Sequence, residues 1–272
     1  MLRYPRNLRG IELQLLVTVL LFFAAGYMLV VSVTRTHTDG TDVATGVVRP
    51  VAFSVALLGI IAELGGRYSP EHLAVSVGSE RVGLAGWITR KFDATLWMSR
   101  LEYITGRMLV ADTGREAPEE GVKFYRAAGW DEDLIDSYKV RFGGFGKAVS
   151  RVPDAYRRIT DGDEISIGGR IWRVIAGNGH SPEHACLWQQ ELKLFISGDQ
   201  VLPRISSNVS VFPTEPDGDP LTDWINSCKK LLAVMPNDVL VLPAHNEPFH
   251  GLHERLQNLI DGHEKALDRV LD

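Results

Sequence analysis

Three short segments in the second half of the chain each end a predicted strand on a side chain that binds metals. They are Gly177-Asn178-Gly179-His180-Ser181-Pro182-Glu183-His184, Ser197-Gly198-Asp199 and Pro243-Ala244-His245-Asn246. Side chains at strand ends can converge on one edge of a sheet, where turn residues let backbones come close. The chain therefore needs a sheet that brings positions 180, 199 and 245 together. Two imidazoles and a carboxylate suit a divalent cation such as zinc, with a coordination position left open. Each segment alone also reads as an ordinary turn, because a His after a strand is more often a satisfied turn residue. The order and spacing of all three carry the signal.

The surrounding pattern supplies such a sheet. Short strands are expected at Glu164–Ile167, Arg170–Ala176, Ala185–Trp188, Leu192–Ile196 and Val239–Leu242. A helix is expected over Asp219–Met235, with Asp219 as N-cap and Pro220 at the first helical position. The last helix, Gly251–Leu271, places Leu252, Leu256, Leu259, Ile260, His263, Leu267 and Val270 on one side. Upstream, Leu73–Val77 and Thr95–Met98 read as strands and Val82–Phe92 as a helix. A helical stretch from Ser99 to about Lys147 is punctuated by Gly114, Pro118, Gly129 and Gly143-Gly144-Phe145-Gly146. Strands and helices mix without a strict βαβ repeat, which favours a layered α/β sandwich over a barrel.

The N-terminus differs in kind. From Leu13 to Thr34 no charged residue occurs over 22 positions. At about 1.5 Å per residue, a helix of that length crosses the roughly 30 Å hydrocarbon core of a bilayer. Arg3, Arg6 and Arg9 precede it, favouring a cytoplasmic N-terminus. The run exceeds the about 7–15 residues of a signal-peptide core, so a membrane anchor and a membrane-associated protein are expected. His37–Thr45 reads as a linker. Val51–Leu64, closed by Gly65 and Gly66, reads as a buried helix in preference to a second crossing. One span would leave the rest of the chain outside the cytoplasm, and two would return it. The expected division is a membrane segment and linker over 1–46 and a folded domain over 47–272, with a helical insert at about 99–150.

A net charge of −5 without a basic stripe speaks against nucleic acid as a partner. The two cysteines, Cys186 and Cys228, form no paired motif, and Cys186 reads as a small buried hydrophobe. Nothing in the sequence sets an oligomeric state.

In this order, the three segments resemble the later motifs of the metallo-β-lactamase superfamily: Gly-His-x-Pro-x-His, Ser-Gly-Asp and Pro-x-His. The likeness runs from about Leu57 to the C-terminus. It is nearest the hydrolase group that includes hydroxyacylglutathione hydrolase-like and β-lactamase-like proteins. The resemblance implies an αββα sandwich and hydrolysis of an ester, thioester or amide in a small-molecule substrate. It further implies that His180 binds a first metal, His245 a second, and Asp199 both. His184 is expected beside the substrate, as a hydrogen-bonding His and not a ligand.

The family's main signature, His-x-His-x-Asp-His, is replaced. Ser76, Gly78 and Arg81 stand in the three His places and Glu80 in the Asp place, leaving Glu80 and Asp199 as the expected catalytic carboxylates. Thr36-His37-Thr38-Asp39 mimics half the signature but lies in the linker. Arg81 opposes a metal: two unit charges about 4 Å apart repel by roughly 4 kcal/mol at an effective dielectric of 20, and a dication doubles that. The expectation is one weakly held zinc on His180, Asp199 and His245, or none. The alternative is a non-catalytic binding or scaffold protein in which Arg81 pairs with Asp199 or Glu80. The sandwich is also expected to lack its first strands, their place being taken by the membrane run. Arg204 reads equally as an anion-binding pocket residue or a solvated loop residue. Tyr103, Trp130, Tyr138 and Phe142 read as core before lid, and His250, His253 and His263 as structural.

Overall fold

A computed structural model describes residues 73–75, 85–92, 94–167 and 170–271. The uncharged run 13–34, the stretch 51–64 and the segment 76–81 carrying Glu80 and Arg81 lie outside the described residues. Among the described residues no helix is long and apolar enough to cross a membrane.

The first half contributes β1 (Leu73–Val75), α1 (Ala85–Phe92), β2 (Leu96–Met98), α2 (Arg100–Ala111), α3 (Glu119–Ala127), α4 (Glu132–Arg141), α5 (Phe145–Ala148) and β3 (Arg157–Arg158). The second contributes β4 (Glu164–Ile167), β5 (Arg170–Gly177), β6 (His184–Gln189), β7 (Leu194–Gly198), α6 (Pro220–Val234), β8 (Leu240–Pro243) and α7 (Leu252–Leu271). β1, β2 and β3 form a parallel sheet in that order. β4 to β8 form a second sheet in chain order, antiparallel except for the parallel pair β7 and β8.

Alternation along the second sheet builds two cores. Trp172 and Val174 of β5, Leu187 of β6 and Ile196 of β7 pack against Leu96, Trp97 and Met98 of β2. Ile175, Cys186, Phe195 and Val241 pack instead with Trp224, Ile225, Cys228 and Leu231 of α6 and Leu252, Leu256, Leu259 and Ile260 of α7. The period of two sends successive residues to opposite faces, so one sheet serves both cores. β2 is buried at all of its positions, with Tyr103 of α2 and Phe145 of α5 also packed on this core. The layered α/β sandwich read from the sequence is the one found.

Helix boundaries follow local chemistry. The Asp219 side chain accepts from the Thr222 N–H at 3.0 Å, with Pro220 in the first turn, as expected. Gly114, Gly129 and Gly143 have φ of 81°, 86° and 66° and lie in the turns that follow α2, α3 and α4.

Two expectations need correction, and one strand was not expected. β7 starts at Leu194, not Leu192, because Gln190 to Lys193 make the hairpin turn: Lys193 takes φ 52° and its N–H donates to the Gln190 carbonyl at 3.2 Å. β3 was not foreseen, since two exposed arginines carry no strand signal. Leu267 and Val270 do not join the apolar face of α7 but stand 45% and 83% exposed. His263 already lies over Trp224, near the start of α6, with ring centroids 4.9 Å apart. The last turns of α7 therefore overhang the end of their partner helix.

Candidate functional site

β5, β7 and β8 deliver His180, Asp199 and His245 to one edge of the second sheet, as the strand-end pattern required. The loop after β5 folds onto α6. The Asn178 N–H donates to Ser227 Oγ at 2.8 Å, and Gly179 takes φ 98° so close to the helix that a Cβ would lie 2.4 Å from the Pro220 carbonyl oxygen and from Trp224 Cβ. β7 ends in a register shift between Ile196 and Gly198. That shift turns the chain into Asp199, and the Ala244 N–H donates to the Gly198 carbonyl at 2.9 Å, joining the Asp199 and His245 loops. The Ser207 hydroxyl donates to the Asp199 carbonyl. Arg255 of α7 donates to the Leu202 and Ile205 carbonyls at 2.6 and 2.9 Å, pinning the start of the same loop.

The Asp199 carboxylate lies between the two imidazoles. His180 Nε2 is 3.3 Å from Asp199 Oδ2, and His245 Nε2 is 3.5 Å from Asp199 Oδ1. The Asp199 side chain is 8% exposed, His180 17% and His245 47%, so the carboxylate is sunk and His245 meets solvent. These separations are longer than the about 2.7–2.9 Å of a charge-assisted hydrogen bond. The His180 separation falls at the roughly 3.3–3.4 Å between two ligands each about 2.0–2.1 Å from one tetrahedral zinc, and the His245 separation lies beyond it.

The His180 ring is also set for a cation. Its Nδ1 lies 2.7 Å from the Asn208 carbonyl oxygen. A carbonyl only accepts, so Nδ1 carries the hydrogen, and in the neutral ring the Nε2 lone pair faces a carboxylate oxygen. The two attract only with positive charge between them, either a proton on Nε2 or a metal cation. A backbone carbonyl fixing the far nitrogen is the usual support of a metal-binding His. By residue type alone, two imidazoles and a carboxylate suit a divalent metal. Each imidazole approaches a different carboxylate oxygen, and among the described residues no group of three or more His, Cys, Asp or Glu side chains is arranged so that it could hold a metal ion.

His184 begins β6, is 1% exposed, and lies with its ring centroid 6.3 Å from that of His180 and its Nδ1 3.5 Å from Ser181 Oγ. It is beside the site and shut away from solvent. Arg204 is exposed and paired through Nε with Glu247 at 2.7 Å, tying the loop after Asp199 to the loop after His245. Glu247 is held below the usual carboxylate range by its own backbone N–H and then by Arg204. The insert aromatics pack on one another: Tyr125 stacks on Trp130 with centroids 4.2 Å apart, Tyr138 is 4.7 Å from Tyr125, and Phe142 is 5.9 Å from Tyr138. Tyr103 stacks on Tyr156 at 3.9 Å against the first core. His250 and His253 sit on the Val239 and Met235 carbonyls at 3.0 and 2.6 Å, and His263 on Ser206 at 2.8 Å. Asn208, Ser207 and Arg255 support the site and were not foreseen. Asn208 acts on His180 through its main chain, which leaves no mark in residue identity.

The profile of the metallo-β-lactamase superfamily matches residues 80–245, more than half of the chain. A β-lactamase domain protein from Burkholderia ambifaria is 33% identical, with a TM-score of 0.64 over 85% of this chain and 67% of that one. A metallo-β-lactamase family protein from Thermus thermophilus shares the fold with a TM-score of 0.59 at 21% identity, over 71% of this chain and 60% of that one. Among curated relatives, an acyl-coenzyme A thioesterase, MBLAC2, from Gallus gallus is 32% identical over 105 residues, 38% of this chain and 35% of that protein. A β-lactamase-like protein 2 homologue from Caenorhabditis elegans is 23% identical over 140 residues, 52% of this chain and 44% of that protein. The chain spans about half or less of these curated relatives' length. The matched span contains His180 and Asp199 and ends on His245, and on that match the chain belongs to the metallo-β-lactamase superfamily.

Proposed function

We propose that the chain hydrolyses thioesters at a zinc site built on His180, Asp199 and His245. The observation that carries this reading is the Asp199 carboxylate set between two imidazoles at 3.3 and 3.5 Å. When bound, zinc supplies Lewis acidity toward water and the substrate carbonyl. Asp199 and the tautomer-fixed His180 hold that charge in place, and the half-exposed His245 leaves the site open to substrate. Thioesters are favoured over amides because a thiol of pKa about 8.5 departs as thiolate without prior protonation. Two relatives support this: MBLAC2 is named an acyl-coenzyme A thioesterase, and an Aspergillus fumigatus relative, 25% identical over 120 residues, an atrochrysone carboxyl ACP thioesterase. Glu80 is proposed as a further carboxylate at the site and Arg204 as a contact for anionic parts of the substrate, released from Glu247 on binding.

The test is thiol release from a panel of acyl-CoA and acyl-pantetheine thioesters by the purified full chain in detergent, with and without added zinc. Zinc-dependent release, lost in Asp199→Asn and His180→Ala, is expected. No release above the blank from any member by zinc-loaded protein contradicts the proposal.

A second reading has its own support. It takes Ser76, Gly78 and Arg81 to stand in the family's ligand places, as aligned from the sequence. On this reading the fold is a non-catalytic binding protein with Arg81 as the resident cation between acidic groups. Arg81→Ala separates the two, since it removes the cation without adding a ligand: it raises zinc uptake if Arg81 occupies the site and leaves it unchanged otherwise.

The uncharged run 13–34 is proposed to anchor the protein in a membrane. Recovery of the full chain in the carbonate-washed membrane fraction is expected, and recovery wholly in the soluble fraction refutes the anchor.

A further inference from the structure

α2 opens on Ser99-Arg100-Leu101-Glu102, the spacing of a capping box. In such a box the Ser side chain caps the third helical N–H and the Glu returns to the Ser N–H. Here the box is not closed on itself. Ser99 occupies the N-cap position with φ −69° and ψ 156°, yet its side chain makes no cap bond. Its hydroxyl donates to the Glu183 carbonyl at 2.6 Å. The Glu102 carboxylate accepts from the Glu183 N–H at 2.9 Å. The exchange is reciprocal, because the Glu183 carboxylate accepts from the Leu101 N–H at 3.1 Å and caps α2 from 82 positions away.

Ser99 is 1% exposed and Glu102 fully buried. A carboxylate is costly to bury, and a glutamate in the first turn of a helix has a free alternative in capping that helix from the solvent side. The sequence carries the means for the local cap, and the fold uses both side chains elsewhere. They are directed at Glu183, which lies between His180 and the buried His184. The other end of the same loop is fixed by Gly179 and Asn178 against α6. The loop bearing His180 is thus held at both ends, on one side by the second core and on the other by the helical insert.

We propose that Ser99 and Glu102 are positioning residues that hold the loop 178–184 in the register in which His180 presents Nε2 to the metal. This rests on the reading of His180 as a metal ligand. The insert following β2 then belongs to the metal site through α2, and not to the fold alone.

Zinc titration of the full chain against a competing chelator tests the proposal, together with the d–d absorption of the cobalt(II) form and amide exchange. Glu102→Ala is expected to weaken zinc binding by about tenfold or more, in the range of losses from supporting shells of metal ligands, and to shift the cobalt spectrum. Glu102→Gln keeps an accepting oxygen and is expected within about threefold of wild type. Exchange in Glu102→Ala should quicken at Glu183 and through 179–184, with β5 and β7 protected as before. Wild-type zinc affinity and cobalt spectrum in folded Glu102→Ala overturn the proposal, as does acceleration spread evenly over the chain. Ser99→Ala, the milder change, serves if Glu102→Ala does not fold. If wild type itself takes up no zinc, the metal reading fails, and loop-confined exchange still decides whether Glu102 holds the loop.

Discussion

His180 has one ring nitrogen committed to the Asn208 carbonyl and the other aimed at a carboxylate. That tautomer is not written in the motif; it is imposed by a main-chain oxygen 28 positions away. The meeting of His180, Asp199 and His245 was legible in the sequence because each stands at the end of a predicted strand. Asn208 was not, because any residue supplies a carbonyl. Gly179 is a residue whose need is explicit: at φ 98° and against Pro220 and Trp224 it has no room for a Cβ. Gly179→Ala should destabilise the fold by about 2 kcal/mol or more, from the left-handed backbone and the overlap together. Urea unfolding measures this; a wild-type midpoint would show that the loop does not press on α6. Cys228 gives a second expectation. Burial pushes its thiol up to about 12, the Arg255 guanidinium working weakly the other way. A thiol whose folded value lies above its ordinary 9.0 favours the folded state in full below that pH and loses the contribution as pH rises from 9.0 toward about 12. The urea midpoint should therefore fall through that window more steeply in wild type than in Cys228→Ala. Parallel curves for the two would refute this origin.

At the scale of elements, capping and turn chemistry wrote most boundaries. Asp219 and Pro220 set the start of α6, and Gly114, Gly129 and Gly143 follow the insert helices. Where the sequence misled, a longer-range fact decided. The apolar period of α7 continues through Leu267 and Val270, yet the helix it packs on ends first. Ser99 and Glu102 read as a local cap and act on a distant loop. α7 reaches the site through Arg255, whose guanidinium holds the Leu202 and Ile205 carbonyls. Arg255→Met keeps the apolar stem and removes the donors. It is expected to cost about 1–3 kcal/mol by leaving those carbonyls unpaired. It should also weaken zinc binding, because the same loop carries Ser207 and Asn208. Zinc affinity equal to wild type in folded Arg255→Met would separate α7 from the site.

At the scale of the molecule, one five-stranded sheet serves two cores and gathers three strand ends at one edge. The layered class was foreseen from strands and helices mixed without a strict βαβ repeat, and the convergence from the three segments at predicted strand ends. The pairing of β1, β2 and β3 into a separate parallel sheet was not, because strands of two and three residues carry too little pattern to read. On the proposed reading, His180, Asp199 and His245 hold zinc. Its most direct test is the zinc content of the purified full chain after equilibration with zinc and removal of excess at neutral pH, beside Asp199→Asn. About one equivalent is expected in wild type, in keeping with three protein ligands and an open position, and near none in the variant. Less than about a tenth of an equivalent in wild type, or equal zinc in both proteins, would contradict it.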